Sequence, residues 1–435
     1  MRPFRAPADL QSRPVSGRAL LRFALTLPAC ALAFAGCGGD SARPDPQLRG
    51  SQLTIYSSTP QRGPLRAVSA DVLDAERLAL AQEGERVGRY HVRLVPLDAS
   101  TPGVGRSDPA QMSQNARLAA KNPRTIAYLG ELATGSSAIS IPLLNEVGVL
   151  QVSPLDTAMA LTTTSLAVAG SPERFYPKLR DFGRTFARVV PSDRSEVDAL
   201  LVYMRQSGVR RIALLTDEDP SGRALATNLR AKAHAAGIAI VAREEIDEHA
   251  QRHDDAISRI VEAQPDGVLD ATGARPGAAR LWRELHATDP QLQLFAPDNL
   301  ADPSFVAGLG SAAAVAHVTQ PVYEPTSGGP AAQRFVHAFA RRYDRVPTAE
   351  ARYGYEAMRS VLAAIRRVEA QNADGLVSRH AVVRAYFETA SRGGVLGPYA
   401  IDAAGDTSLN RWGAFRVVDG ELRFAGGLSG ASGER

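Results

Sequence analysis

The sequence predicts an α/β protein in which two parallel-sheet series follow one another along the chain. Three observations carry this. Short apolar runs of strand length alternate with helical patterns over most of the 435 residues, the order expected of parallel sheets covered on both faces. The alternation lapses once, between Thr164 and Ser192, where Gly170, Pro172, Pro177 and Gly183 interrupt it, and then restarts. The runs at 125–130 and 149–152 each break into a loop of small and hydroxyl-bearing residues, and ligands bind at such strand ends in open α/β sheets.

In chain order, the strand-like runs are 53–56, 91–96, 125–130 and 149–152, then 211–216, 238–242, 267–269 and 316–321. Helical patterns lie between them at 66–83, 108–122, 195–207, 221–236, 254–263 and 276–288. Two strong late helices follow at 330–343 and 353–368, then another at 378–390 and two short strand-like pieces at 399–402 and 412–418. The late segment has too few strands for a third domain, so it is expected to complete the two earlier halves. Within 125–164, Ser136 or Ser137 is placed to cap a helix running to about Glu146. A free helix N-terminus there would favour an anion.

The first 36 residues have the three parts of an export signal. A basic region reaches Arg22, an apolar region spans 23–36, and small residues precede Cys37. Phe34-Ala35-Gly36-Cys37 resembles a bacterial lipobox, with Phe34 where an aliphatic residue is usual. Of the two cysteines, Cys30 falls in the segment to be removed and Cys37 would carry the lipid. The mature body would then hold neither a disulfide nor a free thiol. Residues 37–50 read as a flexible tether. The whole chain carries a formal charge of +4. Residues 1–36 hold five Arg against one Asp, so 50 less 5 and 46 less 1 leave 45 basic and 45 acidic residues in the remainder. That balance implies no nucleic-acid partner.

The landmarks resemble, in order, the type 1 periplasmic binding proteins, in particular the substrate-binding lipoproteins of branched-chain amino-acid ABC transporters. The residues that carry the likeness are Tyr56-Ser57-Ser58-Thr59-Pro60 with Gly63-Pro64, the strand 92–98 ending in Asp98, the segment 125–164, and Arg184-Thr185-Phe186-Ala187-Arg188 with Ser192-Asp193. Pro265-Asp266-Gly267-Val268, the late helices and 394–406 complete it. The resemblance implies two Rossmann-like lobes with parallel sheets, forming a bilobal clamshell crossed three times by the chain, near Thr185, Phe295 and Gly397. Lobe 1 would comprise 51–184 and 296–397, lobe 2 would comprise 185–295 and 398–424, and 425–435 would be a flexible tail.

The resemblance also implies a ligand-binding set. Thr134 would meet a ligand carboxylate. The Leu155 carbonyl and the Thr157 hydroxyl would meet an ammonium, with Ser136, Ser57 and Arg62 as further contacts. The second-lobe acid that the family's amino-acid binders often supply is missing from 273–277, so a ligand other than a simple branched-chain amino acid is expected, with Asp217, Glu218 and Asp219 as alternative acids. The implied role is extracytoplasmic capture of a small amino-acid-like or carboxylate-bearing solute, delivered to an ABC permease and ATPase complex, with the protein lipid-anchored to the cell envelope. A ligand sensor feeding a signalling partner is the alternative. The sequence lacks a G-x-S-x-G elbow, an HExxH pair and a P-loop, so no enzyme, cofactor or metal is expected. His249 and His253, four apart in a polar connector, read as surface residues.

Overall fold

The computed structural model describes residue 48 and residues 50–102, 107–247, 249–250, 252–273, 277–321 and 329–429. The export signal, Cys37 and most of the tether lie outside the described residues.

The first series builds β1 (Gln52–Thr59), α1 (Arg66–Gln82), β2 (Arg86–Val87), β3 (Tyr90–Asp98), α2 (Pro109–Lys121), β4 (Thr125–Leu129), α3 (Ser137–Asn145), β5 (Leu150–Ser153), α4 (Leu179–Phe182) and β6 (Phe186–Arg188). These strands make one sheet in the order β2-β3-β1-β4-β5-β6. All neighbours are parallel except the short β2–β3 pair. The order reverses at β1, so loops leaving the carboxyl ends of β1, β4 and β5 converge on one edge. Leu129 and Val152 are register partners, so the two hydroxyl-rich loops do start side by side.

The second series continues with α5 (Asp193–Gln206), β7 (Arg211–Thr216), α6 (Pro220–Ala233), β8 (Ala239–Glu245), α7 (Asp254–Glu262), β9 (Gly267–Asp270), α8 (Ala278–Thr288), β10 (Gln293–Ala296), α9 (Pro303–Gly308) and β11 (Ala316–Gln320). Next come α10 (Pro330–Tyr343), α11 (Ala351–Gln371), α12 (Arg379–Phe387), the hairpin β12 (Arg392–Gly394) and β13 (Gly397–Tyr399), and finally β14 (Arg411–Val418) and β15 (Glu421–Ser429). The second sheet runs β15-β14-β11-β10-β9-β7-β8. Its β14 and β15 pair antiparallel at one edge.

Three helices begin with the same dipeptide. Asp108-Pro109, Asp219-Pro220 and Asp302-Pro303 each put an aspartate at the cap, accepting from a backbone N–H of the first turn, and a proline at the next position. The proline has no N–H to leave unpaired there, and the carboxylate satisfies a donor that is free. Helix α11 packs on α1 through Gly354, where an added Cβ would lie 2.7 Å from the Val72 carbonyl. On one face of the second sheet, Leu200 and Met204 of α5 and Leu225 and Leu229 of α6 join Trp412 in a buried cluster. Each such side chain contributes about 1.5–3 kcal/mol by leaving water.

The chain passes between the sheets three times, as the bilobal fold requires: between β6 and β7, between β11 and α10, and between β13 and β14. Two expected boundaries move. The crossing placed near Phe295 does not occur there, because β10 and β11 are parallel neighbours in the same sheet, with Phe295 opposite His317. The chain leaves the second lobe only after Gln320. The tail expected from 425 begins inside β15, where Leu428 is buried opposite Trp412.

Candidate functional site

The site forms where the carboxyl ends of both sheets meet. On the first lobe, the loop after β4 carries Thr134 and the loop after β5 carries Thr157. Their hydroxyls lie 2.9 Å apart. The Thr157 hydroxyl also donates to Asp298, at 3.2 Å from Oδ2. Asp298 follows β10 of the second lobe. A threonine hydroxyl has one proton, so with Thr157 donating to Asp298, Thr134 donates to Thr157. A single hydroxyl relay therefore spans the two lobes.

The halves touch elsewhere too. Gly135 has φ +81°, and a Cβ added there would sit 2.6 Å from the Ser221 hydroxyl at the start of α6. Asn228 of α6 donates to the Met159 sulfur at 3.7 Å. Beside Thr134 a cavity of about 490 Å³ opens between the lobes. Met112, Ile139, Leu161 and Phe175 give it an apolar wall, and Asp219 to Ser221 close it from the second lobe. Its size suits a small organic solute.

Acids crowd the relay. Asp193 and Glu196 of α5 and Asp298 each offer a carboxylate oxygen, all within 4.8 Å of one another. The Asp298 backbone N–H donates to Glu196 Oε1 at 2.8 Å, and Thr319 of β11 donates to the same oxygen. Among the described residues, Asp193 Oδ1 and Glu196 Oε2 are buried without a hydrogen-bond partner. Burial, followed by the Asp298 charge, pushes both Asp193 and Glu196 far above the usual carboxylate range. Burial pushes Asp298 up to about 6. This trio is also the one grouping among the described residues with the spacing of a metal site.

The N-terminus of α3 is occupied from within. Asp156, fully buried, accepts from the N–H groups of Gly135 at 2.7 Å, Ser137 at 2.8 Å and Ala158 at 3.2 Å. The donors expected to meet a ligand anion are thus already bound to the protein's own carboxylate. Arg188 organises the loop that carries Asp156. Completely buried, it donates to the carbonyls of Asp156 and Ala158 and to the Thr162 hydroxyl, and lies 2.8 Å from Asp406. Below the loop, Glu131 takes Tyr128 on one oxygen at 2.7 Å and Ser58 on the other at 2.8 Å. Burial pushes its carboxyl up to about 8.

Among the six expected ligand residues, Thr134 and Thr157 come together at the relay. Leu155 lies in the same loop, half-buried, with its side chain against the core. The other three are placed differently. Ser136 stands at the cap position of α3 but makes no side-chain cap bond, because the Ala138 and Ile139 N–H groups that it would accept from donate to the backbone carbonyls of Gly135 and Ser136. Ser57 is fully buried beside Glu76. Arg62 is half-exposed and tied to Asp98 at 3.1 Å. Asp217 and Asp219, offered as alternative acids, accept from backbone N–H groups of Gly273 and Gly222. No acid stands at 273 or 277, and the second-lobe acid that reaches the relay is Asp298. Its available signal was position: an acid two residues past the end of a parallel strand. That strand, β10, is only four residues long and carries little signal of its own.

Two α/β lobes that oppose hydroxyls and an acid across a cleft define a solute-binding protein of the clamshell type. The family model for periplasmic binding proteins matches residues 53–421, and the chain belongs to that family. No curated protein sequence matches it. Among solved structures, a leucine-binding protein from Thermotoga maritima is 23% identical with a TM-score of 0.70, the match covering 86% of this chain and 98% of that one. A solute-binding protein of an ABC transporter from R. palustris, in complex with benzoate, is 17% identical with a TM-score of 0.66, covering 88% and 98%. A branched-chain amino-acid binding protein from Streptococcus pneumoniae, in complex with isoleucine, is 16% identical with a TM-score of 0.65, covering 86% and 99%. The shared fold is therefore that of extracytoplasmic solute-binding components of ABC transporters.

Proposed function

We propose that this protein captures a small solute of amino-acid size, bearing a protonated nitrogen, and delivers it to an ABC permease and ATPase complex. The observation that carries the reading is the relay from Thr134 through Thr157 to Asp298. It joins the lobes at the point where both sheets end, beside a cavity of matching size. A ligand ammonium between Thr157 and Asp298 replaces a contact that the halves otherwise make only with each other, so binding and closure are coupled. Export through residues 1–36, a lipid on Cys37 and a tether over 37–50 complete the proposal and hold the protein at the envelope. The similar solved structures include a leucine-binding protein and transporter solute-binding proteins in complex with isoleucine or benzoate, which supports uptake as the purpose of capture.

The test is mass spectrometry of small molecules released from natively purified protein, followed by titration of the compound found. Micromolar or tighter binding that falls at least tenfold in Asp298→Asn supports the reading. Unchanged affinity in that variant moves the site elsewhere. For the anchor, Cys37→Ser should shift the protein from the membrane to the soluble fraction.

A further inference from the structure

The chemistry of this cleft is lopsided. Four carboxylates, those of Asp156, Asp193, Glu196 and Asp298, share one niche. The cation that faces them is Arg188, already within 2.8 Å of Asp406 and spent on two carbonyls and a hydroxyl. Two buried carboxylate oxygens, Asp193 Oδ1 and Glu196 Oε2, have no donor among the described residues. Asp298, half-buried, is the least buried of the three and the one that meets Thr157 of the first lobe. Unpaired buried acceptors of this kind require either protons or a donor-rich guest. An ammonium carries three donors and no acceptor, and a guanidinium five.

A carboxylate-bearing guest meets the opposite situation. The amides at the start of α3 are the natural seat for an anion, and Asp156 fills it through Gly135 and Ser137. The Thr134 hydroxyl beside it is engaged with Thr157. A second carboxylate brought to this place would find no free N–H among these groups and would lie close to Asp156.

We infer that the cleft is specific for an organic cation without a carboxylate, a primary amine or guanidinium on a small apolar body, its charged end at Asp298, Glu196 and Asp193 and its body in the cavity past Thr134. This rests on the solute-capture reading and narrows it. The apolar wall of Met112, Ile139, Leu161 and Phe175 suits a branched or aromatic hydrocarbon body, and Arg174, which also lines the cavity, already donates to the Ala169 carbonyl at 3.1 Å.

The experiment is calorimetric titration of the intact protein with four matched probes: 3-methylbutylamine, L-leucine, 4-methylpentanoate and calcium chloride. The expected result is that the amine binds at least tenfold more tightly than leucine, and that the acid does not bind. Asp298→Asn should lose the amine by tenfold or more. Asp156→Ser, which frees the α3 amides, should raise the affinity for leucine at least tenfold. Leucine binding as tightly as the amine in the unaltered protein overturns the inference while leaving solute capture intact. Calcium binding that displaces the amine overturns it in favour of a metal site. Failure of all four probes to bind also overturns it, and capture is then judged separately from the compounds released on purification.

Discussion

Glu131→Gln should flatten the pH dependence of stability in the ligand-free protein. Burial holds the Glu131 carboxyl at about 8 in the folded state, against 4.5 ordinarily. The fold therefore favours the protonated form. Its stabilising contribution is complete below about pH 4.5 and is lost as pH rises through about 8. At ~1.4 kcal/mol per pH unit, the loss between pH 5 and 8 is about 3.5 kcal/mol. The glutamine side chain matches the shape of the acid, and Ser58 and Tyr128 can each accept from its amide as well as donate to its carbonyl. The variant should therefore lie within about 1 kcal/mol of the parent at pH 5. His317 runs the other way. Burial and then Arg416 hold its ring at about 3, so acidification below 6.5 costs stability, but the cost is common to both proteins and cancels in the comparison. Urea denaturation at pH 5, 6.5 and 8, read as midpoints at constant slope, gives the two profiles. If they fall in parallel, Glu131 is not the neutral group described here and the argument fails.

Glu76 is a second group of this kind, also held at about 8 by burial, so Glu76→Gln should remove a comparable slope in the same denaturation series. Thr157→Val removes the middle of the relay at little cost in shape, and affinity for the ligand should fall about ten- to a hundredfold, or ~1.5–3 kcal/mol, by calorimetry. Gly135→Ala places a methyl 2.6 Å from the Ser221 hydroxyl and should favour the open form. Small-angle scattering with ligand should show a larger radius than the parent, and Ser221→Ala should partly restore closure. Arg188→Met removes the buried partner of Asp406 and the donor to the Asp156 carbonyl, and should lower stability by about 3 kcal/mol, read from urea denaturation.

Much of the first lobe was legible because its signals are local. The strands at 125–130 and 149–152, and the small hydroxyl-rich loops after them, are each written within a few consecutive residues, so Thr134 and Thr157 could be placed at neighbouring strand ends. The long late helices were legible for the same reason. Other features were hidden by partners distant in sequence. Strand β10 is four residues long and owes its state to β9 and β11 on either side. Missing it misplaced both the second crossing and Asp298. The stretch Ala-Gly-Gly-Leu-Ser at 425–429 has the composition of a tail, yet β14 pairs with it and buries Leu428. Ser136 has the residue type of a cap, but the N–H groups it would accept from are taken by backbone carbonyls, and the Gly135 and Ser137 N–H groups beside it are taken by Asp156 from the next loop.

By itself, the sequence determined that the chain alternates strand and helix in two series, restarts once, and ends its strands in polar loops, because periodicity and turn residues act over a few positions. Only the tertiary structure decided which acids meet. Asp156, Asp193, Glu196 and Asp298 are spread over more than a hundred residues. Their shared niche, their raised affinity for protons and the filled end of α3 arise from burial and Coulomb interactions, and these depend on distance in space, which separation along the chain does not fix.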